Sequence, residues 1–229
     1  MVFQRPHHSS STLKNLYHKT IGLPHVGTRI RGRAVFHLIP QSERLNILDI
    51  GCGSGAFSYE LAKRGHNVTS MDSLVGITTQ DIQRLRAMFK KGGYHFRFTE
   101  GTATQLPFPD SSFDAVIIAD VIEYIPDEDK AIREIHRVLK PRGFFVASTP
   151  LEGFHRGTFK RFFRFLHEHT FLKHLHIWDT TQLYPESHMK SEGHVREYTL
   201  THWKQLCKKH GFIVEAWEYE YKFFGAFFV

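Results

Sequence analysis

The sequence predicts a doubly wound α/β domain, and three observations carry that prediction. From Leu45 onward, short apolar segments alternate with stretches of helical periodicity, as in a mostly parallel sheet covered by helices on both faces. The first apolar segment ends in a glycine-rich turn, Gly51-Cys52-Gly53-Ser54-Gly55, which suits a strand that feeds a helix. At the other end, Phe212 to Glu220 and Lys222 to Val229 are separated by so few residues that two strands there must pair as an antiparallel hairpin.

The elements follow in order. Arg29 to Ile39 places Ile30, Ala34 or Val35, and Leu38 at helical spacing before Pro40. Leu45 to Ile50 reads as a buried strand, Ser54 to Arg64 as a helix closed by Gly65, and Asn67 to Asp72 as a second strand. Ile82, Leu85 and Phe89 mark a helix stopped by Gly92-Gly93, and Tyr94 to Thr99 alternates as a third strand. Leu106-Pro107-Phe108-Pro109-Asp110 must be a loop, while Phe113 to Ala119 is apolar enough for a strand covered on both faces. Asp127 to Leu139 carries Ile132, Ile135 and Leu139 on one helical face, Lys140 to Gly143 end that helix, and Phe144 to Thr149 is the fifth strand. Residues 150–198 break the rhythm, which resumes with a helix from Leu200 to His210 capped by Gly211.

Composition narrows the class. The 229 residues suffice for one filled α/β domain with an elaboration, and 41% hydrophobic with 23% charged residues fits a globular protein. No apolar run is long enough to span a bilayer, and Met1 to Ser11 lack the apolar centre of a secretory signal. Two cysteines, Cys52 and Cys207, form no disulfide framework and fit a reducing cytoplasm. Of the formal charge of +7, residues 1–44 supply +6, from seven Lys or Arg against Glu43 alone. This stretch reads as a basic helical arm ahead of a domain spanning residues 45–229. Such an arm suits nucleic acid, an anionic membrane face, a ligand carboxylate or plain solvent.

The chemistry concentrates around the glycine turn. Asp49, Gly51, Gly53 and Gly55 satisfy an acidic-x-G-x-G-x-G pattern, and Gly51, Gly53 and Ala56 equally satisfy G-x-G-x-x-G/A, so the turn by itself fits two classes of nucleoside cofactor. Asp72, at the end of the second strand, suits ribose hydroxyls in either class. The segments Glu100 to Asp114, Asp120 to Asp127 and Glu134 to Gly143 separate the two. With them, Leu45 to Thr149 resembles the class I S-adenosylmethionine-dependent methyltransferases, in the branch that holds the quinone-biosynthesis and small-molecule enzymes. The resemblance implies a seven-stranded Rossmann-like sheet whose last strand inserts antiparallel. It also implies that S-adenosyl-L-methionine is the cofactor and S-adenosyl-L-homocysteine the product.

The resemblance further assigns roles. Asp49 and the backbone of Gly51, Cys52, Gly53 and Gly55 hold the methionine part of the cofactor, Asp72 its ribose, and Ser73 and Leu74 flank the adenine. Thr102 and Ala103 stand where relatives usually carry Asp-Ala beside the adenine amine. A hydroxyl accepts more weakly than a carboxylate, so that contact falls to the Thr102 backbone or to Gln105. Asp120 borders cofactor and acceptor alike. Asp120 and Glu123 face the acceptor region, with Tyr124 where some relatives have a metal-recruiting histidine, and no metal is expected. Glu123 either moves a proton or caps the following turn while Tyr124 packs. His194, Arg196 and Tyr198 are candidates for the acceptor pocket by position.

Within residues 150–198, Phe159, Phe162, Phe163 and Leu166 fall at helical spacing with Lys160, Arg161 and Arg164 on other faces. That pattern fits a lid over an apolar acceptor, a helix touching anionic lipid, or a helix packed on the sheet. His167-x-His169 and His174-x-His176 lack the spacing of helical zinc sites. The expected function is methyl transfer to a small, apolar, quinone- or lipid-like acceptor, on oxygen or carbon, in a cytoplasmic protein with peripheral contact to an anionic membrane. The competing readings are an RNA methyltransferase using the basic arm and an NAD-dependent oxidoreductase. S-adenosylhomocysteine and NAD titrations separate the last from the first.

Overall fold

The computed structural model describes Gly32 and residues 35–41, 43–73, 77–149, 195–196, 198–219 and 223–228, with side chains as far as Val214. The expected arm (1–44) and lid (150–198) lie largely outside the described residues. The elements are β1 (Asn46–Ile50), α1 (Ala56–Lys63), β2 (Asn67–Asp72), α2 (Thr79–Gly92), β3 (Arg97–Glu100), β4 (Phe113–Ala119), α3 (Glu128–Val138), β5 (Leu139–Thr149), α4 (Leu200–Lys209), β6 (Ile213–Tyr219) and β7 (Phe223–Phe228).

Strands β1 to β5 are mutually parallel, with β1 between β2 and β4. The strand order is β3-β2-β1-β4-β5-β7-β6, with β7 antiparallel to both β5 and β6. Alternation along the strands divides the core. Leu48, Ile50, Val116 and Ile118 pack with Ile132 and Ile135 of α3 and Trp203 and Leu206 of α4. Ile47, Ala115, Ile117 and Val146 pack on the other face with Leu61 of α1, Phe89 of α2, Val35 and Ile39. Both sheet faces are thus covered, which is why the strands read as unbroken apolar runs. Each such Leu or Ile buried from water contributes about 1.5–3 kcal/mol.

Several boundaries differ from the expected ones for local reasons. The first helix begins at Ala56, not Ser54, because Gly55 takes a left-handed conformation and donates its N–H back to Cys52 O at 2.8 Å. The third strand begins at Arg97, because the Tyr94 N–H continues onto Phe89 O and its ring packs edge-on against Tyr59. Before β1, Val35 and Ile39 are the buried pair, while Leu38 is only half-buried.

The segment Lys140 to Gly143 does more than stop α3. Leu139 pairs with Phe113 and Phe144 with Ala115, so four residues of β5 loop out opposite Asp114 alone. Asp114 closes this bulge by accepting from Asn46 N–H (2.8 Å), Asn46 Nδ2 (3.1 Å) and Lys140 Nζ (2.7 Å). Burial pushes the Asp114 carboxyl up, yet the Lys140 and Asn46 hydrogen bonds and the Lys140 charge outweigh it and hold the group below its ordinary value. Arg142 in the bulge has φ 66°, a left-handed conformation that costs an L-residue about 1–2 kcal/mol. Arg142→Gly is therefore expected to stabilise the fold by about 0.5–1 kcal/mol after glycine's entropic cost, read as a higher midpoint in a thermal melt.

The Leu106 to Asp110 loop is held by one side chain. Arg137 of α3 donates to Phe108 O (2.8 Å), Asp110 Oδ1 (2.7 Å) and Leu106 O (3.1 Å), and reaches both oxygens of Glu134 at 2.8 Å. Glu134 in turn accepts the Leu106 N–H at 2.8 Å. A loop too proline-rich for its own ladder bonds is thus fixed by a planar cation with five donors.

Candidate active site

The chain reverses direction across the sheet between β1 and β4, and the carboxyl ends of these strands open the crevice where α/β sheets bind ligands. On the β1 side, Gly51, Gly53 and Gly55 all have positive φ (71°, 49° and 71°). The Gly51 and Cys52 N–H groups both donate to Met71 O, at 2.8 and 3.0 Å, which fastens the turn to β2. A Cβ at Gly51 would stand 2.3 Å from Val121 Cγ2, so this glycine lets the segment after β4 close onto the turn. A Cβ at Gly53 would meet nothing nearer than Gly51 O at 3.9 Å, so Gly53 presents bare backbone to open space.

Asp72 lies beside that bare backbone. Its two carboxylate oxygens accept from the N–H groups of Gly53 and Ser73, each at 2.8 Å, which sets the carboxylate against the turn. Asp49 is placed differently: it is 1% exposed, beneath the turn, and accepts from Ser58 Oγ of α1 at 2.5 Å. Ser70 Oγ of β2 donates on to Ser58 Oγ at 2.8 Å, which completes a buried polar chain. Burial pushes the Asp49 carboxyl up to about 6, with the Ser58 hydrogen bond opposing and the Asp72 charge adding. Cys52 is also buried; burial first, then the charges of Asp49 and Asp72, push its thiol up and keep it protonated.

After β3, Ala103 is buried at 6% exposure and Thr102 is exposed. The Thr102 carbonyl accepts the Gln105 N–H at 3.1 Å, and Thr102 Oγ1 stands 3.3 Å from Thr104 Oγ1. After β4, Asp120 adopts φ 54°; its N–H donates to Ser148 O at 2.9 Å and its Oδ1 accepts from Ser148 Oγ at 3.0 Å. A short 3-10 turn, Ile122–Tyr124, then sends Glu123 and Tyr124 in different directions. Glu123 is 1% exposed, with Oε2 at 3.4 Å from Thr149 Oγ1 and its carbonyl accepting the Val195 N–H, whereas Tyr124 is 41% exposed. Leu74 and His194 lie outside the described residues. Among the described residues, no three His, Cys, Asp or Glu gather as metal ligands.

Arg196 and Tyr198, read by position as acceptor-pocket residues, both contact Glu128 of α3. Tyr198 is fully buried, stacks on Trp203 at 5.1 Å and donates its hydroxyl to Glu128 Oε2 at 2.6 Å. Arg196 donates to Pro126 O at 2.6 Å and stands 2.7 Å from Glu128 Oε2, while His202 Nε2 lies 2.8 Å from Glu128 Oε1. Glu128, in the first turn of α3, thus gathers Arg196 and Tyr198 from just before α4 and His202 from the first turn of α4, so these residues dock α4. Burial pushes the Glu128 carboxyl up, but the Tyr198 and His202 hydrogen bonds and the Arg196 charge hold it below its ordinary value. Sequence reasoning missed the hydroxyls of Ser58, Ser70, Ser148 and Thr149, since serine and threonine in a strand or helix carry no motif. Only strand register and helix docking bring them to the carboxylates.

Residues 48–147 match the profile of a methyltransferase domain family. The ubiquinone/menaquinone biosynthesis C-methyltransferase of Rickettsia bellii is 41% identical over 108 residues, covering 44% of this chain and 42% of that protein. Its counterpart in Rickettsia massiliae is 38% identical over 134 residues, 53% of each chain. The chain thus spans about half the length of the curated relatives it matches. Among solved structures, a protein of Pyrococcus horikoshii OT3 aligns with a TM-score of 0.62 at 25% identity, over 93% of this chain and 98% of that one. An S-adenosylmethionine-dependent methyltransferase from Mesorhizobium loti is alike in fold, with a TM-score of 0.63 at 18% identity over 86% and 96% of the two chains. The glycine turn, Asp72 and the Arg137-bound loop all lie inside residues 48–147, the segment that matches the methyltransferase domain family.

Proposed function

We propose that the chain transfers a methyl group from S-adenosyl-L-methionine to a small, uncharged, quinone-like acceptor. The observation that carries the acceptor class is the charge of the crevice. The segments after β1 to β4 (51–55, 73, 77–78, 101–105 and 120–127) contain Asp120, Glu123 and Asp127 and no Lys or Arg, beside Asp49, Asp72 and Glu100 at the strand ends. A negative mouth favours a cationic cofactor, admits a neutral acceptor and repels the phosphates of a nucleic acid. The likeness to ubiquinone/menaquinone biosynthesis C-methyltransferases points the same way. The strand order, with β7 antiparallel beside β5, supports the seven-stranded form of this fold, and residues 150–198 are assigned as its acceptor lid.

In this reading the bare backbone at Gly53 cradles the cofactor, Asp72 receives its ribose hydroxyls, and Ser73, Leu74 and Ala103 border its adenine. The bound cofactor supplies an electrophilic methyl on a sulfonium for in-line attack. The chain's own part is to hold donor and acceptor together, which can supply about 7–11 kcal/mol of the barrier. Asp120 and Glu123 are assigned to take up a proton where the acceptor must lose one, and S-adenosyl-L-homocysteine is released. The basic arm and the lid are assigned to contact with an anionic membrane in which an apolar acceptor dissolves.

Calorimetric titration with S-adenosylhomocysteine and with NAD, together with methyl transfer to a short-chain naphthoquinol in detergent, tests the proposal. Saturable binding of the sulfur nucleoside and labelled quinol are expected. Tight NAD binding without a response to the sulfur nucleoside, or label entering RNA and not the quinol, would overturn it. Thr102→Asp gives a finer check: an adenine amine bonded to a carboxylate gains about 1 kcal/mol over a neutral acceptor, so S-adenosylhomocysteine should bind roughly fivefold tighter.

A further inference from the structure

Among the contacts described, Asp120 meets one residue of β5 twice. The β4–β5 register sets Ala119 opposite Ser148, so the chain leaves β4 directly beside that serine. Ser148 accepts the Asp120 N–H through its carbonyl (2.9 Å) and donates its hydroxyl to Asp120 Oδ1 (3.0 Å). Asp120 holds φ 54° there, a conformation that costs a non-glycine residue about 1–2 kcal/mol and persists only where the surroundings fix it. The next residue, Val121, closes on Gly51 at the cofactor turn. Ser148 is wholly buried, so its hydroxyl reaches no ligand and can act only through the carboxylate that it holds.

We infer that Ser148 is a positioning residue for methyl transfer: its hydroxyl fixes the Asp120 carboxylate in one orientation at the crevice, as the negative pole for the reacting centre. The inference rests on the cofactor reading above. The backbone bond keeps the peptide in place without the hydroxyl, so Ser148→Ala removes one donor from the carboxylate, loosens its orientation and leaves the turn intact. Thr149, the next residue of β5, approaches Glu123 in the same sense but at 3.4 Å, too long to orient it as firmly.

The test compares two cofactor analogues by calorimetry: S-adenosylhomocysteine, uncharged at sulfur, and sinefungin, which carries an ammonium where the methyl is transferred. Their affinity ratio reads the negative pole at that point without turnover. The unmodified chain is expected to prefer sinefungin. Ser148→Ala should reduce the preference three- to tenfold and Asp120→Asn at least as much, and the double variant should match Asp120→Asn alone, because the serine acts only through the aspartate. A ratio unchanged in Ser148→Ala, or losses that simply add in the double variant, would overturn the inference. Failure of the unmodified chain to bind S-adenosylhomocysteine at all would instead overturn the cofactor reading. Thermal melts accompany each variant, and Ser148→Cys, a weak donor of similar volume, is read in the same way should Ser148→Ala not fold.

Discussion

Asp49→Asn is expected to stabilise the unliganded chain by about 2–3 kcal/mol at pH 8 and to weaken S-adenosylhomocysteine binding about tenfold. The carboxyl of Asp49 is wholly buried and raised from 3.8 to about 6, chiefly by loss of water. A group whose folded value lies above its unfolded value stabilises the fold fully below the unfolded value, near pH 4, and that contribution is lost as pH rises through about 6. Above pH 6 the native chain therefore keeps an ionised carboxylate under the turn with Ser58 as its close donor, and stability falls accordingly. Asparagine retains an oxygen for Ser58 without the charge. The gain should vanish below pH 4, where aspartate too is neutral. Binding moves the other way, because the buried charge helps to make the crevice negative. Urea unfolding at pH 4, 6 and 8, with calorimetry at pH 8, measures both. A variant less stable than the parent at pH 8, or one whose advantage ignores pH, would refute this account.

Asp49 also shows where sequence was informative and where it was not. The run from Asn46 to Ile50 was legible as a strand because parallel strands are covered on both faces. An acidic residue inside that run was legible as functional, but its direction depends on pleat parity: Ile47 and Asp49 share a face, and that face packs against α1. The hydroxyl that meets Asp49 comes from a helix whose docking no local pattern encodes. The same holds for Ser148, whose relation to Asp120 exists only through the β4–β5 register. In that register the looped-out Lys140 to Gly143 shift the pairing by residues that read in sequence merely as a helix stop. Arg196 and Tyr198 show the same limit. Their distance along the chain from β5 suggests the acceptor side, but the ion pair of Arg196 and the hydroxyl hydrogen bond of Tyr198 to Glu128, 70 residues away for Tyr198, are written in no local pattern. Motifs made of backbone shape, such as the glycine turn, were therefore readable, while contacts made by side chains across elements were not.

Backbone shape is also where the largest loss is expected. Gly51→Ala should destabilise the fold by about 2–5 kcal/mol and remove measurable S-adenosylhomocysteine binding. Two effects add: a left-handed conformation at φ 71° costs an alanine about 1–2 kcal/mol, and forcing a methyl into a packed site costs about 1–3 kcal/mol. The methyl would stand 2.3 Å from Val121 Cγ2 and 3.0 Å from Cγ1, so Val121 must move, and with it the segment that leads from Asp120 to Glu123. Val121→Ala in the same chain removes both Cγ atoms but leaves Cβ at 3.2 Å and the unfavourable φ, so it should restore only about half of the lost stability. Gly53→Ala is the informative contrast. Its Cβ meets no atom nearer than 3.9 Å, so the fold should lose only about 1–2 kcal/mol from φ 49° while the new methyl enters the crevice and weakens the nucleoside's binding. Chemical denaturation and calorimetry on the four chains separate packing from ligand contact. Equal destabilisation by Gly51→Ala and Gly53→Ala, or no recovery with Val121→Ala, would show that the closure of Val121 onto the turn is not what the first glycine is for.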